Sequence, residues 1–274
     1  MSYATILVHL LVGQTNAVVL AAAGKLARRH DARLIGIAAT QPLPMMGSGL
    51  YDNSLSVAIL HDDMAKQTLE AEAEFRSAFA DAKHPLGWRS TWTCMALPDY
   101  IADEARCADV IVTTPAHRRE WSNARHVNVG ELIMNAGCPV IVVPQNSPQA
   151  AFERIVIAWK DSREARRAVR DAIPLLKLAT AVTIVEIAAE NEVASARARA
   201  DDVADWLAGH GIKSNPQAAP SSNDEAAALE ATFAIANADL VVAGAYGHSR
   251  MREWAFGGVT QSILGGARCA LLSH

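Results

Sequence analysis

A glycine-rich segment near the carboxyl end of the chain has residue types and a spacing that suit phosphate binding. Gly244 and Gly247 are followed, after nine residues, by Gly257 and Gly258. Glycine lets a backbone adopt positive φ and approach a ligand closely. The segment leads into a predicted helix, whose first N–H groups and positive dipole end favour an anion, and Thr260 could add a hydroxyl donor. The spacing predicts a phosphate site without the lysine of a Walker A motif. A tight turn that serves backbone geometry alone is the alternative.

The elements that must position this segment alternate between strand and helix. In the carboxyl half, apolar runs predict strands at 154–159, 181–187, 239–244 and 269–273, with a weaker one near 213–218. Helical periodicity there predicts helices at 162–176, 192–210, 224–236 and 259–266. The amino half predicts strands at 5–10, 33–38, 89–95, 109–114 and 139–144, and helices at 16–30, 60–82, 98–107 and 129–135. Such alternation predicts an α/β protein whose parallel sheets are covered by helices and bind ligands beyond the carboxyl ends of their strands.

The two halves of the chain repeat one pattern. The segment that begins Ala108-Asp109 recurs at Ala238-Asp239, and the one that begins Ala136-Gly137 recurs at residue 267. The first copy is longer because of residues 41–57, a stretch whose prolines and glycines indicate a loop. Polar residues and prolines around 145–151 mark the boundary. We therefore predict two domains, residues 1–148 and 149–274.

The composition excludes several classes of protein. The chain has 274 residues, of which 51% are hydrophobic, and a net charge of −4, which argues against broad nucleic-acid binding. No apolar run is long enough for a membrane span, and the first residues lack the features of a secretion signal. The four cysteines show no spacing typical of a metal site.

The glycine spacing, placed between the fourth strand and the last helix of its copy, resembles the nucleotide motif of the universal stress protein family. Residues 238–250 are similar to that family's fourth strand and loop, and residues 137–144 resemble its last strand. The resemblance covers both halves. It implies a cytoplasmic tandem protein with two Rossmann-like domains of the adenine nucleotide alpha hydrolase type. Each domain would have a five-stranded parallel sheet, and the two would pair through their last strands as a pseudo-dimer within the chain. Whether two chains also form a homodimer stays open.

The resemblance also implies a ligand, namely ATP or another adenine nucleotide, with magnesium as its companion. By position, the phosphates and ribose would contact Gly244, Gly247, Gly257, Gly258, Val259 and Thr260. The adenine end would contact Ala158, Trp159, Lys160 and Ile187.

Two positions depart from the family pattern. Gly258 stands where the family has Ser or Thr, so a hydroxyl donor is lost while the backbone N–H remains. Lys160 stands where binding members have an Asp that faces adenine. Lys160 could contact phosphate or be solvated, and Trp159 could stack on adenine or cap the edge of the sheet.

The first copy departs further from the pattern. The run from Thr114 to His117 replaces the first glycine pair, and Pro115 removes a backbone donor. We therefore predict that this copy has lost its phosphate site and serves as a structural partner. His9, His117 and His126 all lie near predicted strand ends, where they could form a metal or acid–base cluster.

Three functions follow from these observations. The first is a stress-response regulator that binds an adenine nucleotide in its second domain. The second is an interaction or protective module that binds no nucleotide and uses the loop at 41–57. The third is a site for another small ligand or for weak hydrolysis. The chain has no nucleophile elbow, HExxH motif or paired-carboxylate signature, so no catalytic residue is predicted and slow ATP hydrolysis is the most that we expect.

Overall fold

A computed structural model describes residues 2–42, 54–115, 126–147, 151–221, 225–246, 258–265 and 268–274. The chain separates into two compact units, one of Tyr3–Ala136 and one that takes in Gly137–His274. Both units are α/β, as the alternation of predicted elements indicates. Among the described residues, no helix is both long enough and apolar enough to cross a membrane.

The unit 3–136 contains a parallel sheet with the strand order β3-β2-β1-β4. Its strands are β1 (Thr5–His9), β2 (Arg33–Thr40), β3 (Gly87–Trp92) and β4 (Val110–Thr113). Its helices are α1 (Ala17–His30), α2 (Ser54–Ala78), α3 (Leu97–Glu104) and α4 (Val129–Asn135). The central strands are buried on both faces, which is why they consist of aliphatic runs without alternation.

The unit 137–274 contains strands in the order β5-β10-β9-β6-β7-β8. Its strands are β5 (Val140–Val142), β6 (Arg154–Trp159), β7 (Ala181–Ala188), β8 (Asn215–Pro220), β9 (Leu240–Gly244) and β10 (Cys269–Ser273). Its helices are α5 (Arg163–Leu176), α6 (Val193–Gly209), α7 (Glu225–Ile235) and α8 (Gly258–Gly265), with a 3-10 turn at Glu190–Glu192. The strands are parallel except for β5, which pairs antiparallel with β10.

Strand β5 belongs to the first copy of the sequence repeat but lies in the second compact unit, because it pairs with β10. The compact units therefore divide between Ala136 and Gly137, ahead of the boundary that the sequence predicts at 148/149. Among the described residues, each copy of the repeat supplies five strands, the number expected from the family resemblance.

The repeated Ala-Asp pair has the same structural role in both units. The carboxylate of Asp109 accepts hydrogen bonds from the N–H groups of Ala4 and Thr5, at 2.7 and 2.8 Å. The carboxylate of Asp239 accepts from the N–H groups of residues 153 and 154, at 3.0 Å each. Burial raises the pKa of Asp239, although these two N–H donors favour its ionised form. Each aspartate thus ties the start of the fourth strand of its copy of the repeat to the start of the first strand of that copy.

Candidate functional site

The carboxyl ends of β6 and β9 form the topological switch point of the unit 137–274. From β6 the chain continues to β7 on one side, while β9 lies on the other side. Open α/β sheets bind ligands in the crevice at such a point. Ala158 of β6 lies beside Ala243 of β9, so two of the smallest side chains flank the crevice. Trp159 and Gly244, the last residues of these strands, lie at the same edge of the sheet.

Gly244 is explained by packing between a strand and a helix. A Cβ at this position would lie 2.6 Å from the carbonyl carbon of Glu164 and closer still to the backbone nitrogen of Ala165. Only glycine lets β9 approach the first turn of α5 so closely. Gly244 does not have positive φ, which occurs instead at Tyr246, with φ of 62°. At Gly244, then, the structure supports the alternative in which glycine serves backbone geometry.

Helix α8 begins at Gly258, directly after the second glycine pair, close to the start that the sequence predicts. Gly258, Val259 and Thr260 form its first turn, which contains no acidic residue. The first N–H groups of a helix have no acceptor within the helix and attract an anion. The first turn of α8 is therefore suited to phosphate.

Several predicted residues lie outside the described ranges. These are Gly247 and Gly257 of the glycine motif, His117 of the histidine cluster, and residues 43–53 of the loop predicted at 41–57.

The structure separates the residues that the resemblance assigns to the adenine end. Trp159 lies beside Glu186 in the register of β6 and β7, and it is only 9% exposed, against helices α5 and α6. Ala158 and Ile187, both half-buried, lie on the opposite face of the sheet by strand alternation. Trp159 is therefore buried against α5 and α6, on the face of the sheet opposite Ala158 and Ile187.

Lys160 is exposed, and it forms no ion pair within the part of the chain that the structure describes. It directly follows β6, and its carbonyl oxygen accepts a hydrogen bond from the N–H of Ser162 at 2.7 Å. This placement agrees with the solvated alternative for its side chain, while the ammonium group stays available to an anion at this edge.

Glu164 is a residue of the site that sequence reasoning missed. It carries a carboxylate, yet it is only 3% exposed, and its backbone carbonyl carbon lies against the Gly244 position. Burial raises its pKa, but the hydrogen bonds from Arg163 and Ser162 outweigh burial and lower it. Its Oε2 atom is buried without a hydrogen-bond partner among the described residues. Ser162 accepts from the N–H of Ala165 at 3.2 Å, so the start of α5 is capped by its own residues.

The corresponding crevice in the unit 3–136 is filled by side chains. The repeat aligns His9 with Ala158 and Thr113 with Ala243. His9 and Thr113 form a buried hydrogen bond of 2.8 Å across the strand ends. Burial, and after it the charge of His126, lowers the pKa of His9 to about 4. The imidazole is therefore neutral near pH 7 and occupies the space between β1 and β4.

Helix α4, which corresponds to α8, has a complete cap of its own. The Asn128 side chain accepts hydrogen bonds from the N–H groups of Gly130 and Glu131, at 3.1 and 3.3 Å. The Glu131 carboxylate in turn accepts from the Asn128 amide at 2.8 Å. This arrangement satisfies the first donors and places a negative charge where an anion would bind. Within the described ranges, no group of three or more metal-ligating side chains is found.

No protein-family model and no curated protein matches the chain. Solved structures do match it over nearly its whole length. A universal stress protein from Archaeoglobus fulgidus DSM 4304 superposes with a TM-score of 0.74 at 14% identity, covering 98% of this chain and 97% of its own. A functionally unknown protein from Pseudomonas aeruginosa PAO1 gives 0.61 at 14% identity, covering 99% and 92%. The chain therefore has the universal stress protein fold, as the glycine motif and the repeat indicate.

Proposed function

We propose that the chain is a stress-response regulator that binds one adenine nucleotide, in the crevice between β6 and β9. The observation that carries the proposal is the contrast between the two crevices. Ala158 and Ala243 have side chains too short to meet across one switch point, whereas His9 and Thr113 form a hydrogen bond across the other. The glycine motif resembles that of universal stress proteins, and this resemblance favours a nucleotide as the ligand class.

The bound nucleotide has a definite orientation in this proposal. Its phosphates lie against the first turn of α8, where helix N–H groups are available and no acidic residue opposes them. Its adenine lies toward Ala158 and Ile187, which share one face of the sheet. Lys160, exposed next to the same edge, adds positive charge without blocking the crevice.

A charge placed in the first turn of α8 tests the phosphate end. Thr260→Glu gives α8 an acid at the position that Glu131 has in α4. A carboxylate about 4 Å from a phosphate costs roughly 4 kcal/mol near a protein surface, so we expect affinity for ATP, ADP or AMP to fall more than about 100-fold. An acid in the first turn stabilises a helix, so the variant keeps its thermal stability.

Titration calorimetry of the wild type, Thr260→Glu and the neutral control Thr260→Gln gives the readout. We expect about one nucleotide per chain for wild type and for the control. Equal affinity in all three proteins would show that the phosphates do not bind at α8. A wild type without measurable affinity would overturn the proposal altogether. Gly257→Val, which adds bulk to the second glycine pair, should also abolish binding.

One observation favours a second candidate function. Packing against α5 accounts fully for Gly244, and the ionised Glu164 lies directly behind it. A chain that keeps this glycine for its fold alone would be an interaction or protective module without a nucleotide. Mass spectrometry of protein purified without added nucleotide separates the two: about one released adenine nucleotide per chain supports the first function, and none supports the second.

A further inference from the structure

Strand β3 is the outermost strand of its sheet, and among the described residues no strand pairs with its outer edge. The N–H of Thr93 donates to the carbonyl oxygen of Thr40 in β2 at 3.0 Å. Because backbone groups alternate in direction along a strand, the N–H and C=O groups of Trp88, Ser90 and Trp92 point away from β2. Such an edge is a template on which a further strand can add.

The end strand of the unit 137–274, β8, shows how an edge is blocked. The N–H of Ser221 donates to the carbonyl oxygen of Ala188 in β7 at 2.6 Å, so the backbone groups of residues 216, 218 and 220 point outward. Two of these residues are Pro216 and Pro220, which have no N–H to donate and prevent regular pairing. Strand β3 contains no proline, so all of its outward donors are present.

The charge of β3 does not oppose pairing either. Charged side chains commonly protect edge strands, and Arg89 is the only charged residue of β3. Its guanidinium forms an ion pair with Glu104 at 3.0 Å, on the opposite face of the strand from Trp92. Trp92 is 50% exposed, and its ring lies against that of His61. An exposed indole therefore lies at this edge, while the charge of the strand is neutralised on the other face.

The sequence of β3 favours a second copy of this chain as the strand that pairs with it. The run from Trp88 to Trp92 is Trp-Arg-Ser-Thr-Trp, with the two indoles placed symmetrically about Ser90. In an antiparallel pair centred on Ser90, each Trp88 lies opposite a Trp92, and every outward N–H and C=O group has a partner. Arg89 then lies opposite Thr91, and the cross-strand aromatic pairs stabilise the contact.

Other symmetric registers satisfy fewer groups. A pair centred on Arg89 places two guanidinium groups opposite each other and leaves the outward groups of Trp92 unpaired. A pair centred on Thr91 leaves those of Trp88 unpaired.

We infer that two copies of this chain associate through antiparallel pairing of their β3 strands, centred on Ser90. This dimer goes beyond the proposed nucleotide function, whose crevice lies between β6 and β9. It also leaves β5 and β10 paired with each other as they are within one chain.

Ser90→Pro tests the edge, because it removes the central outward N–H without removing a hydrogen bond to β2. Ala218→Pro is the matched control, since the N–H of Ala218 points outward from β8 in the same way. Sedimentation equilibrium over a range of protein concentrations gives the dissociation constant. We expect the wild type and Ala218→Pro to reach about twice the 29.2 kDa of one chain. Ser90→Pro should raise the dissociation constant at least about tenfold and keep the circular dichroism of the wild type.

Two results of this measurement would overturn the proposal. A wild type that keeps the mass of one chain at every concentration shows that no second copy uses the edge, whatever else covers it. A Ser90→Pro dimer as tight as that of the wild type shows that the interface lies elsewhere.

A cross-link tests the register without a proline. Ser90→Cys is made in a chain whose cysteines that are not buried, Cys94, Cys107 and Cys138, are replaced by serine. The proposed pairing places the two new thiols opposite each other at a Cα separation of about 5.5 Å, which a disulfide can bridge. We expect oxidation to give a disulfide-linked dimer, and Gln217→Cys, exposed on β8, to give at least about tenfold less. Equal yields from the two positions would contradict the register.

Discussion

At the end of β1, the imidazole of His9 reaches the hydroxyl of Thr113 and closes the space between two strands. At the end of β6, the aligned positions are Ala158 and Ala243, whose methyl side chains are too short to meet across the two strands. The helix beyond the fourth strand differs in the same sense, since α4 is capped by Asn128 and Glu131 while the first turn of α8 has no acid. One repeated fold can therefore differ at the carboxyl ends of its strands through a few side chains, without changing its sheet.

The largest effect that distinguishes the units is the acid sensitivity of the unit 3–136. His9 has a pKa of about 4 in the folded protein and 6.5 when unfolded. Above pH 6.5 both states are neutral at this residue, and as the pH falls toward 4 only the unfolded state gains the proton. We expect the free energy of unfolding to fall by about 3 kcal/mol across this range.

Urea unfolding at several pH values between 7 and 4 measures that slope. His9→Ala, which copies Ala158, should lose most of it even though its absolute stability is lower. The pKa of His30 is also lowered, by burial and then by the charge of Arg29. His9→Ala should therefore still show a smaller dependence of stability on pH, of the same sign. An undiminished slope in His9→Ala would assign the acid sensitivity to other residues.

A smaller effect separates Gly244 from Thr114, its counterpart in the repeat. Gly244→Ala forces the added methyl group against the backbone of α5, and we expect a loss of about 1–3 kcal/mol in the free energy of unfolding. Thr114 is buried with its hydroxyl unpartnered among the described residues, so Thr114→Val should be neutral or stabilising. Chemical denaturation measures the free energy of unfolding of both variants. If Gly244→Ala is as stable as the wild type, packing does not explain this glycine and a role in ligand binding is favoured instead.

The smallest effect concerns the cap of α4. Asn128→Ala removes the acceptor for two N–H groups and should cost about 1 kcal/mol. Calorimetric nucleotide stoichiometry should remain about one per chain, because His9 still fills the crevice. A second nucleotide bound by this variant would show that the cap alone blocks the site.

Much of the fold was predictable because it depends on local patterns. The apolar runs predicted every described strand, including the weak one found at Asn215–Pro220. Strands were predictable because each one depends on the composition and spacing of residues that are adjacent in the sequence. The start of α8 was predictable from the glycine pair that precedes it. The repeated Asp109 and Asp239 marked equivalent positions in the two copies of the repeat. The site was less predictable, since Trp159 and Ala158 are neighbours in sequence but belong to opposite faces of the sheet.

By itself, the sequence determined the order of strands and helices, the repeat, and the departure of the first copy from the glycine pattern. Those properties depend on residues close together in the chain. Only the tertiary structure decided that β5 pairs with β10, that Gly244 packs against α5, and that Glu164 is buried. Each of these depends on which segment, far away in the sequence, packs against a residue. The local spacing of hydrophobic residues does not predict such long-range contacts.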